Sequence, residues 1–222
     1  MSQELWTDVE HYIDGLLIPS DPVLEAAINA CEAADLPPIA VTPGQGKLLY
    51  LLARLQKARR ILEIGTLGGY STIWLARALP EDGYLVTLEA EKKHCDVAMA
   101  NIAQADLSSV VDLRLGRALE TLPELGAEGL EPFDMVFIDA DKENTDAYFK
   151  WALRLSRAGA VIVVDNVIRD GQVADAGASD PRVQGMRRFF EALGDEPRVE
   201  ATTIQTVGSK GYDGFTLALF KG

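Results

Sequence analysis

Three features of this chain predict an α/β protein built on a doubly wound, seven-stranded, mostly parallel sheet with helices added at the N-terminus. Apolar runs recur from residue 59 onward, each followed by a stretch with helical periodicity. Several runs, such as 135–138 and 161–164, are apolar at every position, which marks strands buried on both faces. The last two candidate strands, about 198–204 and 214–220, have no helical crossover between them, so they should pair antiparallel.

Taken in order, residues 1–57 read as a helical extension and 58–222 as the α/β core of a single domain. Helices are expected from Leu5 to Leu17, from Asp21-Pro22 to about Ala34, and from Pro43 to Gln56 after the Pro37-Pro38 break. The strand ILEI then leads to a helix near 70–79, and YLVTLE to one near 91–105. VVDLRL precedes a helix near 117–125, FDMVFID one near 143–156, and AVIVVD closes the fifth repeat. Between the last two strands the glycine-rich stretch 207–214 reads as a loop.

With 222 residues, 48% hydrophobic and 25% charged, the chain has material for one domain with a sizeable core. Its 21 Lys+Arg against 34 Asp+Glu give a net charge of −13, which argues against nucleic acid and anionic membrane surfaces as partners. Cys31 and Cys95 show neither CxxC nor metal-ligand spacing, as expected of a reduced, cytoplasmic protein. The N-terminus lacks a signal-peptide pattern and no apolar stretch approaches a membrane span, so a soluble, unprocessed protein is expected.

Candidate functional residues stand where strands end. Asp139 follows one fully apolar run, and Asp165-Asn166 follow the next. Strand ends of this kind point into the crevice where open α/β sheets bind ligands. If the two strands are neighbours, two carboxylates and an amide carbonyl converge as an all-oxygen set suited to Mg²⁺, Mn²⁺ or Ca²⁺. After the first strand, Glu63 to Ser71 (EIGTLGGYS) forms a glycine-rich turn feeding a helix. It is not GxGxxG, since Leu67 takes the second glycine's place, so a pyrophosphate cradle is disfavoured. Glu89, ending the second strand, can accept hydrogen bonds from ribose hydroxyls. A nucleoside with an amino-acid tail, S-adenosylmethionine, fits the turn and the carboxylate together. His11 and His94 read as packing or surface residues.

With EIGTLGGYS, FIDADK and DNV in this order, the chain resembles the cation-dependent class I O-methyltransferases, the catechol and caffeoyl-coenzyme A group, from about Val41 to the C-terminus. The bacterial small-molecule branch is the most similar, and the resemblance implies a Rossmann-like fold. It implies that Val41 and the backbone at Gly65-Thr66 line the methionine side, that Ser71 holds its carboxylate, and that Glu63 borders its amino end. Glu89 would take the ribose, and Ala118 would lie near the adenine, where relatives often carry a hydroxyl. Asp139, Asp165 and Asn166 would bind the cation, and Lys142, beside Asp139, would be the catalytic base. A lysine acts so only where a nearby cation and burial lower its pKa. The expected acceptor is a small aromatic molecule with vicinal hydroxyls, walled in by the N-terminal helix and the 205–214 loop. The alternative is hydroxylated uridine in tRNA, for which Lys47, Arg54, Lys57, Arg59 and Arg60 offer a local basic patch. The resemblance also implies a homodimer. The apolar stripe Leu5, Trp6, Val9, Ile13 and Leu16 could serve its interface or cover the sheet within one subunit.

Overall fold

The computed structural model describes residues 2–222. Three helices precede the sheet: α1 (Gln3–Leu17), α2 (Pro22–Ala33) and α3 (Pro43–Gln56). Each starts at a residue whose side-chain oxygen caps free backbone N–H groups, namely Ser2, Asp21 and Thr42. Pro22 and Pro43 follow two of these caps, where a missing N–H costs nothing. The strands are β1 (Arg60–Ile64), β2 (Tyr84–Glu89), β3 (Val111–Leu115), β4 (Phe133–Ile138), β5 (Ser156–Asp165), β6 (Val199–Gly208) and β7 (Gly211–Phe220). Between them lie α4 (Tyr70–Ala76), α5 (Lys92–Gln104), α6 (Ala118–Ala127), α7 (Thr145–Leu155) and α8 (Pro181–Gly194).

The sheet order is β3-β2-β1-β4-β5-β7-β6, parallel from β3 through β5 and closed by antiparallel pairing of β7 with both β5 and β6. This is the predicted mixed, doubly wound sheet. One face packs α6, α7 and α8 through Leu122, Phe149 and Phe189; the other packs α2, α3 and α4 through Leu24, Leu49 and Ile73. The N-terminal helices α2 and α3 therefore supply part of one of the two layers covering the sheet. Strand order reverses between β1 and β4, and ligands of open α/β sheets bind at such a switch point.

Three local expectations are corrected. The stretch 207–214 is mainly strand: β6 and β7 pair from Val199↔Phe220 to Gly208↔Gly211, leaving only Ser209 and Lys210 as the turn. Glycines there serve a tight hairpin, and Gly211 takes φ 94°. β5 begins at Ser156, before the apolar run, because pairing with β4 resumes after an irregularity between Phe133 and Met135. Helix α4 is shorter than 70–79 and ends at Ala76.

Candidate active site

The turn after β1 and the end of β4 are built against each other. Gly65 has φ 99°, and a Cβ there would lie 2.1 Å from the carbonyl oxygen of Asp139. Only glycine permits both the left-handed backbone and the contact. Around this junction opens a cleft of about 910 Å³, whose walls include Val41, Gly65, Thr66, Ser71, Glu89, Ala118, Asp139, Lys142 and Asn166. Of the residues expected around the cofactor, Glu63 alone does not reach the surface of the cleft. Fully buried at the end of β1, it lies one layer below.

Glu63 accepts hydrogen bonds from Ser71 Oγ at 2.6 Å, Thr72 Oγ1 at 2.5 Å and Thr87 Oγ1 at 2.7 Å. Burial nevertheless outweighs these donors and pushes its pKa up to about 7. The carboxylate fixes the rotamer of Ser71, whose oxygen lone pairs are left for the cleft. Glu89 is likewise tied into the framework. Its Oε2 accepts the backbone N–H groups of Leu67 at 2.8 Å and Thr66 at 3.3 Å, and its Oε1 that of Glu91 at 3.0 Å. It thus clamps the turn in which Leu67 holds φ 49°, while still facing the cleft with spare acceptor capacity. Ala118 begins α6, and the start of a helix offers backbone N–H groups with no intrahelical partner.

Asp139 and Asp165 end adjacent parallel strands, whose register pairs Ile138 with Val164. Asn166 follows at φ 55°. Burial, and then the charge of Asp139, push the Asp165 carboxyl up to about 7. Lys142 Nζ pairs with Asp139 Oδ1 at 2.6 Å, and the backbone N–H of Asn166 donates to Asp165 Oδ1 at 2.8 Å. One ammonium therefore faces two carboxylates, with the amide of Asn166 beside them. Such a crowded oxygen set could hold one hard divalent cation, which would relieve both the repulsion and the burial cost. No three His, Cys, Asp or Glu side chains form a metal-binding cluster among the described residues. The amide is thus needed to complete a protein donor set.

A second cavity, of about 540 Å³, adjoins this oxygen set, and Asp165 and Asn166 lie in its wall. Leu5, Trp6, Val9 and Ile13 of α1 form one side, with Leu48 of α3 and Phe215 of β7; the hairpin tip at 206–210 forms another. Four residues of the apolar stripe of α1 therefore line a pocket, while Leu16 stays exposed. The tip is tied to α1: Gln3 Nε2 donates to Gly208 O at 2.8 Å, and the Ser209 N–H donates to Glu10. Asn166 lines both cavities and so stands at their junction.

Comparison with known proteins agrees with this geometry. A family model described as O-methyltransferase matches residues 19–221. The chain belongs to this family. It is 54% identical over 221 residues to a catechol O-methyltransferase of Niastella koreensis, covering 100% of both chains. It is 53% identical to one from Mycobacterium tuberculosis, covering 96% of each. Among solved structures, an O-methyltransferase of Bacillus cereus in complex with SAH superposes with a TM-score of 0.98 at 56% identity, covering 99% of this chain and 100% of that one.

The methyltransferase site also contains residues to which sequence reasoning assigned no role there. His94, expected as packing or surface, lies in the wall of the cleft with Nδ1 3.4 Å from Glu89 Oε1. Gly185 of α8 lets that helix press on the segment carrying the lysine, for a Cβ there would lie 2.1 Å from the carbonyl oxygen of Lys142. Asp213 accepts the N–H groups of Ile168 at 2.9 Å and Arg169 at 3.1 Å, fixing the chain just beyond Asn166. A histidine in the helix after Glu89 was a readable signal; the other two depend on contacts between distant segments.

Proposed function

We propose that this methyltransferase uses S-adenosylmethionine and a divalent cation, Mg²⁺ first among Mn²⁺ and Ca²⁺, to methylate a hydroxyl of a small catechol-type acceptor. The observation that carries this reading is Asn166 and its neighbouring carboxylates standing between a larger, more polar cleft and a largely apolar pocket. The SAH complex of the Bacillus cereus relative and the printed names of the two catechol O-methyltransferases support it.

When bound, S-adenosylmethionine would supply the methyl group, and the cation would act as a Lewis acid that lowers the pKa of the acceptor hydroxyl. The chain does the rest. Val41, Gly65, Thr66 and Ser71 would hold the methionine end, Glu89 the ribose, and Ala118 would line the adenine side. Asp139, Asp165 and Asn166 would hold the cation. Lys142, which pairs with Asp139, would take the proton from the attacking hydroxyl. Leu5, Trp6, Val9, Ile13 and Phe215 would exclude water and set the ring's attitude, and such positioning supplies much of the rate of a displacement.

Two of the five basic residues considered for tRNA are paired, Arg59 with Asp82 and Arg60 with Glu131, and Lys47 lies over the rings of Tyr50 and Trp74. Among the described residues, no helix is long and apolar enough to cross a membrane. We also propose a homodimer, since Tyr12, Leu16 and Leu17 of α1 and Leu51 and Leu55 of α3 expose apolar side chains outside the pocket. Methyl transfer from S-adenosylmethionine to catechol, with Mg²⁺ and with excess EDTA, tests the central reading. Turnover only with the cation is expected; undiminished transfer in EDTA would overturn it.

A further inference from the structure

The acceptor pocket contains one feature the reaction itself does not require. Among the described residues its wall includes the carboxylates Glu10, Asp14, Asp165 and Asp213 but a single cationic side chain, Lys210, from the two-residue turn between β6 and β7. The lysine lies at the exposed hairpin tip, and its chain crosses to the rim of the cofactor cleft, where Nζ donates to the carbonyl oxygen of Ala40. That neutral carbonyl is its only hydrogen-bond partner among the described residues.

Two of the wall carboxylates are bonded elsewhere. Glu10 accepts the N–H of Ser209, and Asp213 accepts three backbone N–H groups, from Ile168, Arg169 and Gly214. Asp139 and Asp165 act on Lys210 through their charge, against a partial loss of solvent that pushes its pKa down. Under the proposed function, a divalent cation would neutralise those two carboxylates. Of the carboxylates whose charge acts on it, Lys210 would then keep only Glu10, which already accepts the Ser209 N–H, and it stands in the wall of a pocket lined by Trp6, Val9, Ile13, Val207 and Phe215. An anion in such surroundings gains a charge-assisted hydrogen bond under weak screening.

We propose that Lys210 is a specificity-determining residue that selects acceptors with an anionic substituent, a carboxylate on or near the catechol ring, over neutral or cationic catechols. Gln3 and Glu10, which clasp the hairpin tip to α1, hold the lysine over the pocket. The proposal rests on the catechol reading above.

The test compares protocatechuate, its methyl ester and dopamine as acceptors for the Mg²⁺-loaded enzyme, using wild type, Lys210→Met and Lys210→Arg. The expected result is that wild type prefers protocatechuate. The ratio of kcat/KM for the acid to that for the ester should fall about ten- to a hundredfold in Lys210→Met and recover substantially in Lys210→Arg. A lysine that merely latched the hairpin to Ala40 would lower all three acceptors together and leave the ratio unmoved, and that outcome overturns the proposal. So does a wild-type preference for dopamine. Turnover of none of the three by wild type would overturn the catechol reading and this proposal with it. Turnover with an unmoved ratio would overturn this proposal alone.

Discussion

Replacing Glu63 with glutamine tests whether the carboxylate beneath the cofactor cleft is held at an energetic cost. In the folded protein burial raises its pKa from 4.5 to about 7 despite three hydroxyl donors. A difference of roughly 2.5 between folded and unfolded values corresponds to about 3 kcal/mol, at about 1.4 kcal/mol per pH unit. The sign follows from which form the fold disfavours. Because the folded value is the higher, the stability Glu63 contributes is complete below about 4.5 and is lost as pH rises through about 7. A glutamine at this position would not titrate, so the difference between the two proteins isolates this effect. Near pH 5, where Glu63 is protonated and has nearly the shape of glutamine, the two should unfold within about 1 kcal/mol of each other. Near pH 8 the variant should be the more stable by up to about 3 kcal/mol. Urea unfolding at both pH values, with no divalent cation added, measures this. A difference that does not change with pH, or that grows in favour of the wild type at alkaline pH, would refute the reasoning.

Glu89→Ala should remove the proposed ribose acceptor and also unclamp the N–H groups of Thr66 and Leu67. Titration calorimetry should therefore show S-adenosylhomocysteine binding at least about tenfold weaker, and the unfolding midpoint should fall. Asp165→Ala should abolish cation binding while leaving binding of S-adenosylhomocysteine in place. Lys142→Ala should retain the cation and lower kcat by about 10²–10⁴, as single-turnover assays can check. Light scattering at micromolar concentration should give a mass near twice 24.1 kDa; a monomer would refute the proposed dimer.

The sheet was legible because buried parallel strands are apolar at every position, as Met135 to Ile138 and Val161 to Val164 are. The hairpin at 207–214 was not, since the glycines and polar residues of a tight two-residue turn resemble those of a loop. Along the cleft, Asp139, Asp165 and Asn166 could be read from their place at strand ends, which topology converts directly into proximity. Glu63 shows where this reading stops. The family resemblance implied that it borders the methionine amino end, yet its side chain points into the layer beneath and is met by hydroxyls from α4 and β2. The apolar stripe of α1 was visible by its period, but periodicity does not say what the stripe faces. Here it faces a cavity, because Gln3 and Glu10 tie α1 to the tip of the β6–β7 hairpin and leave a pocket between the helix, α3 and β7.

The contact between Gly65 and the backbone of Asp139 shows why cofactor turn and oxygen set form one unit. β1 and β4 are neighbours at the point where strand order reverses, so the turn leaving one strand must pass the end of the other. The backbone N–H of Asp139 donates to Ile64 O at 2.9 Å, continuing the ladder up to the junction. A side chain at position 65 would push the two apart, displacing the floor of the cleft and Asp139 together. Lys142 is braced from the other side by Gly185, so the pair Lys142–Asp139 is fixed between α8 and the glycine turn. Under the proposed function, the distance from a methyl donor in the cleft to an oxygen held beside Asp139 would therefore be set mainly by backbone packing, which resists displacement better than an exposed side chain does.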